Sequence, residues 1–292
     1  MTEPTLRVLM LGAGTQSTVM ALMADRGEFG SRPDCAIFSD TGDERAATYA
    51  VLDWLDSKLS YPIHRADAGL KLSDGMIQML RPSGGTVIEA PPDKYAIPAF
   101  LRDRATDKKS MSKRFCTSEY KVKPGDKLQR ELLGVAKGQR VPKDTIVECW
   151  WGYSFDELSR CSNPKHKWQT YRYPLIERRL KRHQVIDLWQ QYKDDSAPPL
   201  ARSACVYCPF QSSNEWLHLE DTEPQSLNAA IELEEAIQQQ STDVGSRWIP
   251  FLHRRCIPLK EAIAADRDAK DRQGVLFNDE WGDPQCGGGC GL

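Results

Sequence analysis

The chain lacks any run of about 18 apolar residues, so nothing in it reads as a membrane-spanning helix. Its start, MTEPTLRVLM, carries an acid and a proline but no long apolar core, so a secretory signal is not expected and a cytoplasmic location is. Charge of one sign is also missing. The 39 Lys and Arg against 41 Asp and Glu give a formal net charge of −2, so no global field draws the chain to nucleic acid or to an anionic membrane. Any such contact has to come from a local patch. There is no internal repeat and no low-complexity segment. None of the five histidines pairs with a serine and an acid as a hydrolase triad would require.

Ordinary globular composition remains, with 40% hydrophobic and 27% charged residues. The 292 residues suffice for one large domain, or one domain with an appendage. The first third reads as strand, helix, strand. Leu6–Leu11 is apolar, Ser17–Ala24 opens a helix, and Cys35–Ser39 is a short buried strand. Asp43 is placed to cap a helix from Glu44 to about Leu59, and residues 62–67 give a third strand. Strands alternating with helices imply a parallel sheet covered on both faces. Residues 81–99, rich in proline and glycine, read as a long loop. A helix is expected from Lys123 to Leu133, and a strand over 145–154 that exits into a glycine turn. One amphipathic helix is expected over 175–195, with Leu180, Val185 and Leu188 inward. Further helices are expected over 224–240 and 258–269.

At residues 10–19, LMLGAGTQST, an apolar run ends in Gly12-Ala13-Gly14 and a polar stretch leads into the helix. That order offers free backbone N–H groups and a helix N-terminus to an anion. The lysine of a Walker-type loop is absent, and so is the third glycine of the dinucleotide fingerprint. Asp40-Thr41-Gly42 closes the next strand. A glycine loop and an acid at adjacent strand ends form a nucleotide arrangement, with phosphate on the loop and ribose or base near the acid.

Cysteine is plentiful, at nine residues. In a reducing compartment, metal binding, redox work or catalysis are more natural uses than disulfides. Cys205-Val206-Tyr207-Cys208 is a CxxC, followed by Pro209 and Phe210. It reads as a knuckle turn rather than the start of a helix, which points to metal before dithiol chemistry. Cys116, among Lys113, Arg114, Lys121 and Lys123, is the third candidate ligand, and Cys256 the fourth. Four thiolates suit an iron–sulfur cluster or zinc. The plainer alternative for Cys116 and Cys256 is a small buried hydrophobe. That reading is preferred for Cys35 and Cys149, and Cys161 is unassigned. His253 is an alternative zinc ligand, with a core or capping role as the plainer reading. The C-terminal Cys286-Gly-Gly-Gly-Cys290 is too glycine-rich to pack, so both thiols can swing toward an active site. The cations at 177–183 read as a solvated face, or as a nucleic-acid backbone contact if several share one side. Trp150 and Trp151 should face opposite sides of the sheet.

Taken in order, these segments resemble the adenine nucleotide alpha-hydrolase group, the PP-loop ATP pyrophosphatases, and within it the phosphoadenosine phosphosulfate (PAPS) reductase-like branch. Gly12-Ala13-Gly14-Thr15-Gln16-Ser17 resembles a degenerate SGGxDS in which Gly14 and Ser17 match. Asp40-Thr41-Gly42 matches the DTG of PAPS reductases. The segment 152–160 with its trailing Arg160, the segment 173–189 and the segment 202–210 resemble three later modules, so the likeness runs from residue 8 to about 210.

The resemblance implies a doubly wound, mostly parallel α/β sheet with a helical C-terminal cap. Residues 1–200 would form the nucleotide-binding domain, and 201–292 a cysteine-containing helical region with a flexible tail. It implies ATP or another adenine nucleotide over Gly12–Ser17 and Asp40-Thr41-Gly42, with magnesium a possible companion. It gives catalytic roles to Arg160, Lys121, Cys286 and Cys290, and metal ligation to Cys116, Cys205, Cys208 and Cys256. A [4Fe–4S] cluster is preferred to zinc on this ground, although the family's Cys-Cys pair is reduced here to Cys116 beside Phe115. Gln16 cannot give magnesium a carboxylate, and Gly12 removes a hydroxyl. Phosphate binding then falls to backbone N–H groups and Ser17, with Lys113, Arg114, Lys121 or Arg160 supplying charge. The implied activity is adenylyl-sulfate reduction, or ATP-activated sulfur transfer to a nucleic acid, with a sulfur donor or thiol reductant as partner. The alternative is a nucleotide- or nucleic-acid-binding module that does not hydrolyse its ligand and is held by structural zinc.

Overall fold

The structure is a computed structural model that describes residues 3–79, 97–200 and 202–273. Its centre is a five-stranded parallel sheet of β1 (Leu6–Leu11), β2 (Cys35–Asp40), β3 (Ile63–Asp67), β6 (Val147–Trp151) and β7 (Gln169–Arg172), in the order β3-β2-β1-β6-β7. Val8 pairs with both Cys35 and Cys149, so β1 lies at the middle with a neighbour on each side. Helix α1 (Thr15–Asp25) leaves β1, α2 (Ala46–Lys58) leaves β2, and α4 (Lys123–Leu132) leads toward β6. Chain direction reverses its sideways march between β1 and β6, and the crevice at that switch is where doubly wound sheets bind ligands.

Alternation sorts the strand residues onto two faces. Leu9, Leu11, Phe38 and Trp150 join Val19, Leu55, Val185 and Trp189 in the larger core. Val8, Met10, Ile37, Val147 and Cys149 form the other core, with Trp151 and Tyr171 packed at its margin. Trp150 is fully buried and Trp151 half-buried, on opposite faces as the alternation requires. Burial pushes the Cys35 thiol up to about 12, with Asp34 adding to the effect, and pushes the Cys149 thiol up as well. Both behave as small core residues.

A second sheet is antiparallel and small. Its strands β4 (Phe100–Asp103), β5 (Lys109–Met111) and β8 (Trp248–Phe251) lie in the order β5-β4-β8. It joins residues from the first half of the chain to residues from the last quarter. Around it pack α3 (Leu72–Met79), α7 (Ser213–Thr222), α8 (Pro224–Asp243) and α9 (Leu259–Gln273). No helix among the described residues is long and apolar enough to cross a membrane.

Two sequence expectations need correction. The helix after β2 starts at Ala46, and Asp43 does not cap it. Asp43 instead accepts the Ser73 N–H at 2.7 Å and the Ser73 hydroxyl at 3.1 Å, in the first turn of α3. The single helix expected over 175–195 is two, α5 (Pro174–Glu177) and α6 (Arg182–Tyr192). Arg179 adopts φ 55°, and the Leu180 N–H closes back on the Leu175 carbonyl at 2.9 Å, which ends the first helix. Val185 still faces the core. The loop expected over 81–99 falls largely outside the described residues, and 97–99 lead straight into β4.

Candidate functional site

The turn after β1 is held by the Ser17 side chain. Ala13 is buried at φ 51°, a left-handed conformation that costs an alanine about 1–2 kcal/mol. Gly14 is the N-cap of α1 and brings no side chain to cap the first turn. The Ser17 hydroxyl accepts the Gly12 N–H and donates to the Gly14 carbonyl, both at 3.2 Å. The result is a stiff loop ending at a helix N-terminus, with the first amides of α1 left for an external anion.

Two other segments close on this loop. From the end of β6, Gly152 approaches so tightly that a Cβ there would lie 3.0 Å from the Ser17 nitrogen. From the C-terminal region, Ser203 packs on Gly12 and Gly14, where added Cβ atoms would sit 3.1 and 3.0 Å from its side chain. Gln16, which stands where the resembling family has aspartate, donates to Glu157 at 2.9 Å. Glu157 also accepts the Ser154 N–H and hydroxyl and pairs with Arg160. Arg160 lies 4.3 Å over the Tyr153 ring. Arg160 is therefore at the mouth of the switch crevice, but it is tethered there.

The turn after β2 is built from Asp40, Thr41 and Gly42. Asp40 accepts the Gly42 N–H and the Tyr49 hydroxyl, each at 2.8 Å, and Gly42 takes φ 74°. Thr41 donates to Glu44 at 2.9 Å, and Lys121 pairs with the same carboxylate oxygen at 3.3 Å. Glu44 is fully buried, and its second oxygen has no hydrogen-bond partner among the described residues. Lys121 sits in a π-helical turn, Ser118–Val122, a local distortion frequent at functional sites. Burial disfavours its ammonium, yet Glu44 and the thiols of Cys205 and Cys116 together hold its pKa above the ordinary lysine value.

Lys121, Thr41 and Ser203 line one cleft with Arg114, Thr117, Cys116, Cys205 and Cys208. It encloses about 490 Å³ of free space, solvent at the mouth included. The CxxC knuckle is fixed from behind. Gln211 donates to the Val206 and Cys208 carbonyls at 2.9 and 3.2 Å, and buried Arg45 at the foot of α2 donates to Gln211. Backbone pairing of Glu44 with Cys205, and a Val206 N–H to Asp43 carbonyl bond of 2.9 Å, lay the knuckle along the turn after β2.

Sequence reasoning thus placed Cys116, Cys205, Cys208, Lys121 and Thr41 where the fold gathers them, with Gly12–Ser17 reached through Ser203. Cys256 lies elsewhere. It is buried beside β4 at φ 56°, with its sulfur 3.9 Å from the Leu101 and Arg254 carbonyls. His253 is buried too, with its Nδ1 accepting the Arg255 N–H at 3.3 Å. Among the described residues no three His, Cys, Asp or Glu side chains are placed to hold a metal ion. The four-cysteine set therefore does not fit a cluster or a tetrahedral zinc in this arrangement. Cys286 and Cys290 lie outside the described residues. Glu44 and Glu157 were not foreseen as site residues. Gly152 and Ser203 carried a hint, Gly152 as the glycine that opens the resembling segment 152–160 and Ser203 as the serine two residues before the CxxC in the resembling segment 202–210.

No protein-family model matches the sequence, and no curated protein matches it. Among solved structures, the chain is similar to phosphoadenylyl-sulfate (PAPS) reductase from Candida auris in its phosphate complex. That likeness is at 15% identity and a TM-score of 0.40, over 68% of this chain and 76% of the other. The sheet described above rests on its own strand order and register.

Proposed function

We propose that the chain is a PAPS reductase-like enzyme that binds an adenine nucleotide at the β1–β6 switch and carries out sulfur chemistry in the adjoining cleft. The observation that carries this reading is Ser203. It packs on the anion loop at Gly12 and Gly14 and also lines the cleft that holds Lys121, Cys116, Cys205 and Cys208. A phosphate or sulfate on the loop therefore has cations and thiols next to it. Backbone N–H groups of the loop bind the anion, and Lys121 and Arg114 offset its charge. Cys116 and Cys205 lie on the same cleft as Lys121, and a thiolate is the nucleophile of sulfur transfer. Adenylyl-sulfate reduction and ATP-activated sulfur transfer both use these parts, and the tail thiols Cys286 and Cys290 are candidates for the attacking group.

The locking of Gln16 onto Glu157 favours a second reading, in which the loop binds nucleotide without cleaving it. No carboxylate is then offered to magnesium at the position where the resembling family has one.

The test is calorimetric titration of the full chain with ATP and with phosphoadenylyl sulfate, followed by assay for pyrophosphate and for sulfite. Binding that Gly152→Ala weakens, together with either product, supports the enzyme. Binding without product selects the second reading. Absence of binding by both nucleotides overturns both.

A further inference from the structure

The basic run at 177–183 and the rings of Trp151, Tyr153 and Tyr173, at the ends of β6 and β7, do not line the cleft that holds Lys121 and the thiols, and the fold brings them together at the edge of the sheet. Trp151, Tyr153 and Tyr173 form a ladder. The ring centroids of Trp151 and Tyr153 are 6.1 Å apart at 23°, and those of Tyr153 and Tyr173 are 5.9 Å apart at 19°. All three rings are half-buried, and Arg160 covers part of the Tyr153 face. The break between α5 and α6 lies alongside. The Phe155 N–H donates to the Leu180 carbonyl at 2.7 Å, and the Arg182 N–H to the Asp156 carboxylate at 3.2 Å.

Because Arg179 takes the left-handed conformation, the basic run is a corner rather than one face of a helix, and Arg179 and Lys181 are exposed on it. Arg178 is used by the fold, bonded to the Glu28 carbonyl and set over Phe29. The acids nearby are engaged: Glu177 by Arg172 at 3.0 Å, and Glu157 by Arg160. Residues 153–183 hold eight Lys and Arg against three Asp and Glu, in a chain whose overall charge is slightly negative.

We propose that this edge binds single-stranded nucleic acid, with bases stacked on the Tyr153–Tyr173 end of the ladder and backbone phosphates against Arg179 and Lys181. Aromatic rings interleaved with cations are what an unpaired strand uses, since its bases offer free faces and its phosphates offer charge. A duplex hides those faces, and an anionic bilayer would use the cations but not the rings. The inference does not depend on the nucleotide reading.

The experiment is fluorescence anisotropy of end-labelled oligothymidine and oligouridine, about 12 nucleotides long, with the full chain. Salt is varied from roughly 50 to 200 mM. The parent chain is expected to bind and to lose affinity with salt. The double variant Arg179→Ala/Lys181→Ala, at two exposed positions, is expected to bind more weakly. Its log–log salt slope should be shallower by about 1.4, the value for two lost contacts to a single strand. Tyr153→Leu should weaken binding roughly tenfold and leave the slope unchanged. No binding at the lowest salt, or a double variant that binds as the parent does, overturns the proposal. Equal affinity for a duplex overturns it, and so does binding to phosphatidylserine vesicles without binding to oligonucleotides. A preference for one oligomer over the other says whether the strand is DNA or RNA. The affinity of the double variant for ATP should match the parent, so failure here leaves the nucleotide reading standing.

Discussion

Gly152 rests directly on the backbone of Ser17, and a Cβ at position 152 would lie 2.9 Å from the Ser17 Cα and 3.0 Å from its nitrogen. The end of β6 therefore forms one wall of the anion loop, and only glycine allows the contact. Gly152→Ala has to push one of two backbone segments away. The expected cost is about 1–3 kcal/mol of stability, as for other overpacked sites, with a loss of nucleotide affinity because the loop amides move. Gly12→Ala is the control. Its Cβ would meet the Ser203 hydroxyl at 3.1 Å, a side-chain tip that can turn aside. Urea unfolding and nucleotide titration of the two variants should separate them clearly, and equal effects would show that the approach of Gly152 does not matter.

The pair Lys121–Glu44 yields a prediction about stability as well as function. Glu44 is fully buried with one oxygen unpartnered among the described residues, and Lys121 is its cationic neighbour. Lys121→Met leaves a buried carboxylate without compensation and should cost about 3–5 kcal/mol. Glu44→Gln in the same chain should recover much of that cost. A double-mutant cycle by chemical denaturation measures the coupling, and additive effects would mean that the two side chains do not depend on each other.

Thiol reactivity distinguishes the cleft from the core. Cys116 and Cys205 are half-buried on the cleft beside Lys121, whereas Cys35 and Cys149 are buried in the sheet with raised pKa values. Alkylation of the native protein, read peptide by peptide, should label Cys116 and Cys205 before Cys35 and Cys149. Cys35 and Cys149 should be labelled only after unfolding. If the nucleotide lies where proposed, ATP should slow labelling in the cleft. Faster labelling of Cys149 than of Cys205 would contradict the arrangement.

Much of the central sheet could be read from the sequence because β1, β2 and β6 are largely apolar runs ended by glycine or acid, and their order as βαβ units implies parallel pairing, with β3, IHRAD, the weaker signal. The short β7, QTYR, carries too little apolar character to stand out. The small sheet was missed for the same reason. Its strands are three or four residues long and draw on positions 100 and 251, which pair across 151 residues of chain. The break at Arg179 was hidden because Glu, Arg, Leu and Lys all favour helix, and only the closure of Leu180 onto Leu175 ends it. In the site, residue types gave the thiols and Lys121. The buried carboxylate of Glu44 was not legible, and Ser203 was legible as a residue of the segment 202–210 but not as a wall of the loop, because both roles are defined by neighbours distant in sequence.

Two buried titratable groups packed near the small sheet have opposite effects on stability. Glu234 on α8 accepts the Leu252 N–H at 2.7 Å and the Leu259 N–H at 2.5 Å. Burial, against those hydrogen bonds, pushes its carboxyl up to about 7. Its folded pKa exceeds the unfolded value of 4.5, so its contribution is full below pH 4.5 and is lost as pH rises to about 7. The loss is on the order of 3 kcal/mol. His253 runs the other way. Burial, followed by Arg255, lowers its pKa from 6.5 to about 4, so its contribution is full above pH 6.5 and is lost as pH falls toward 4. Between pH 4.5 and 6.5 the two slopes oppose each other. Glu234→Gln removes the falling one, so its stability relative to the parent should increase with pH across that window. His253→Gln removes the rising one, so its relative stability should decrease with pH. Thermal midpoints of parent and variants at half-unit pH steps check both signs. Two difference curves of the same sign would show that at least one of these groups is not buried as described.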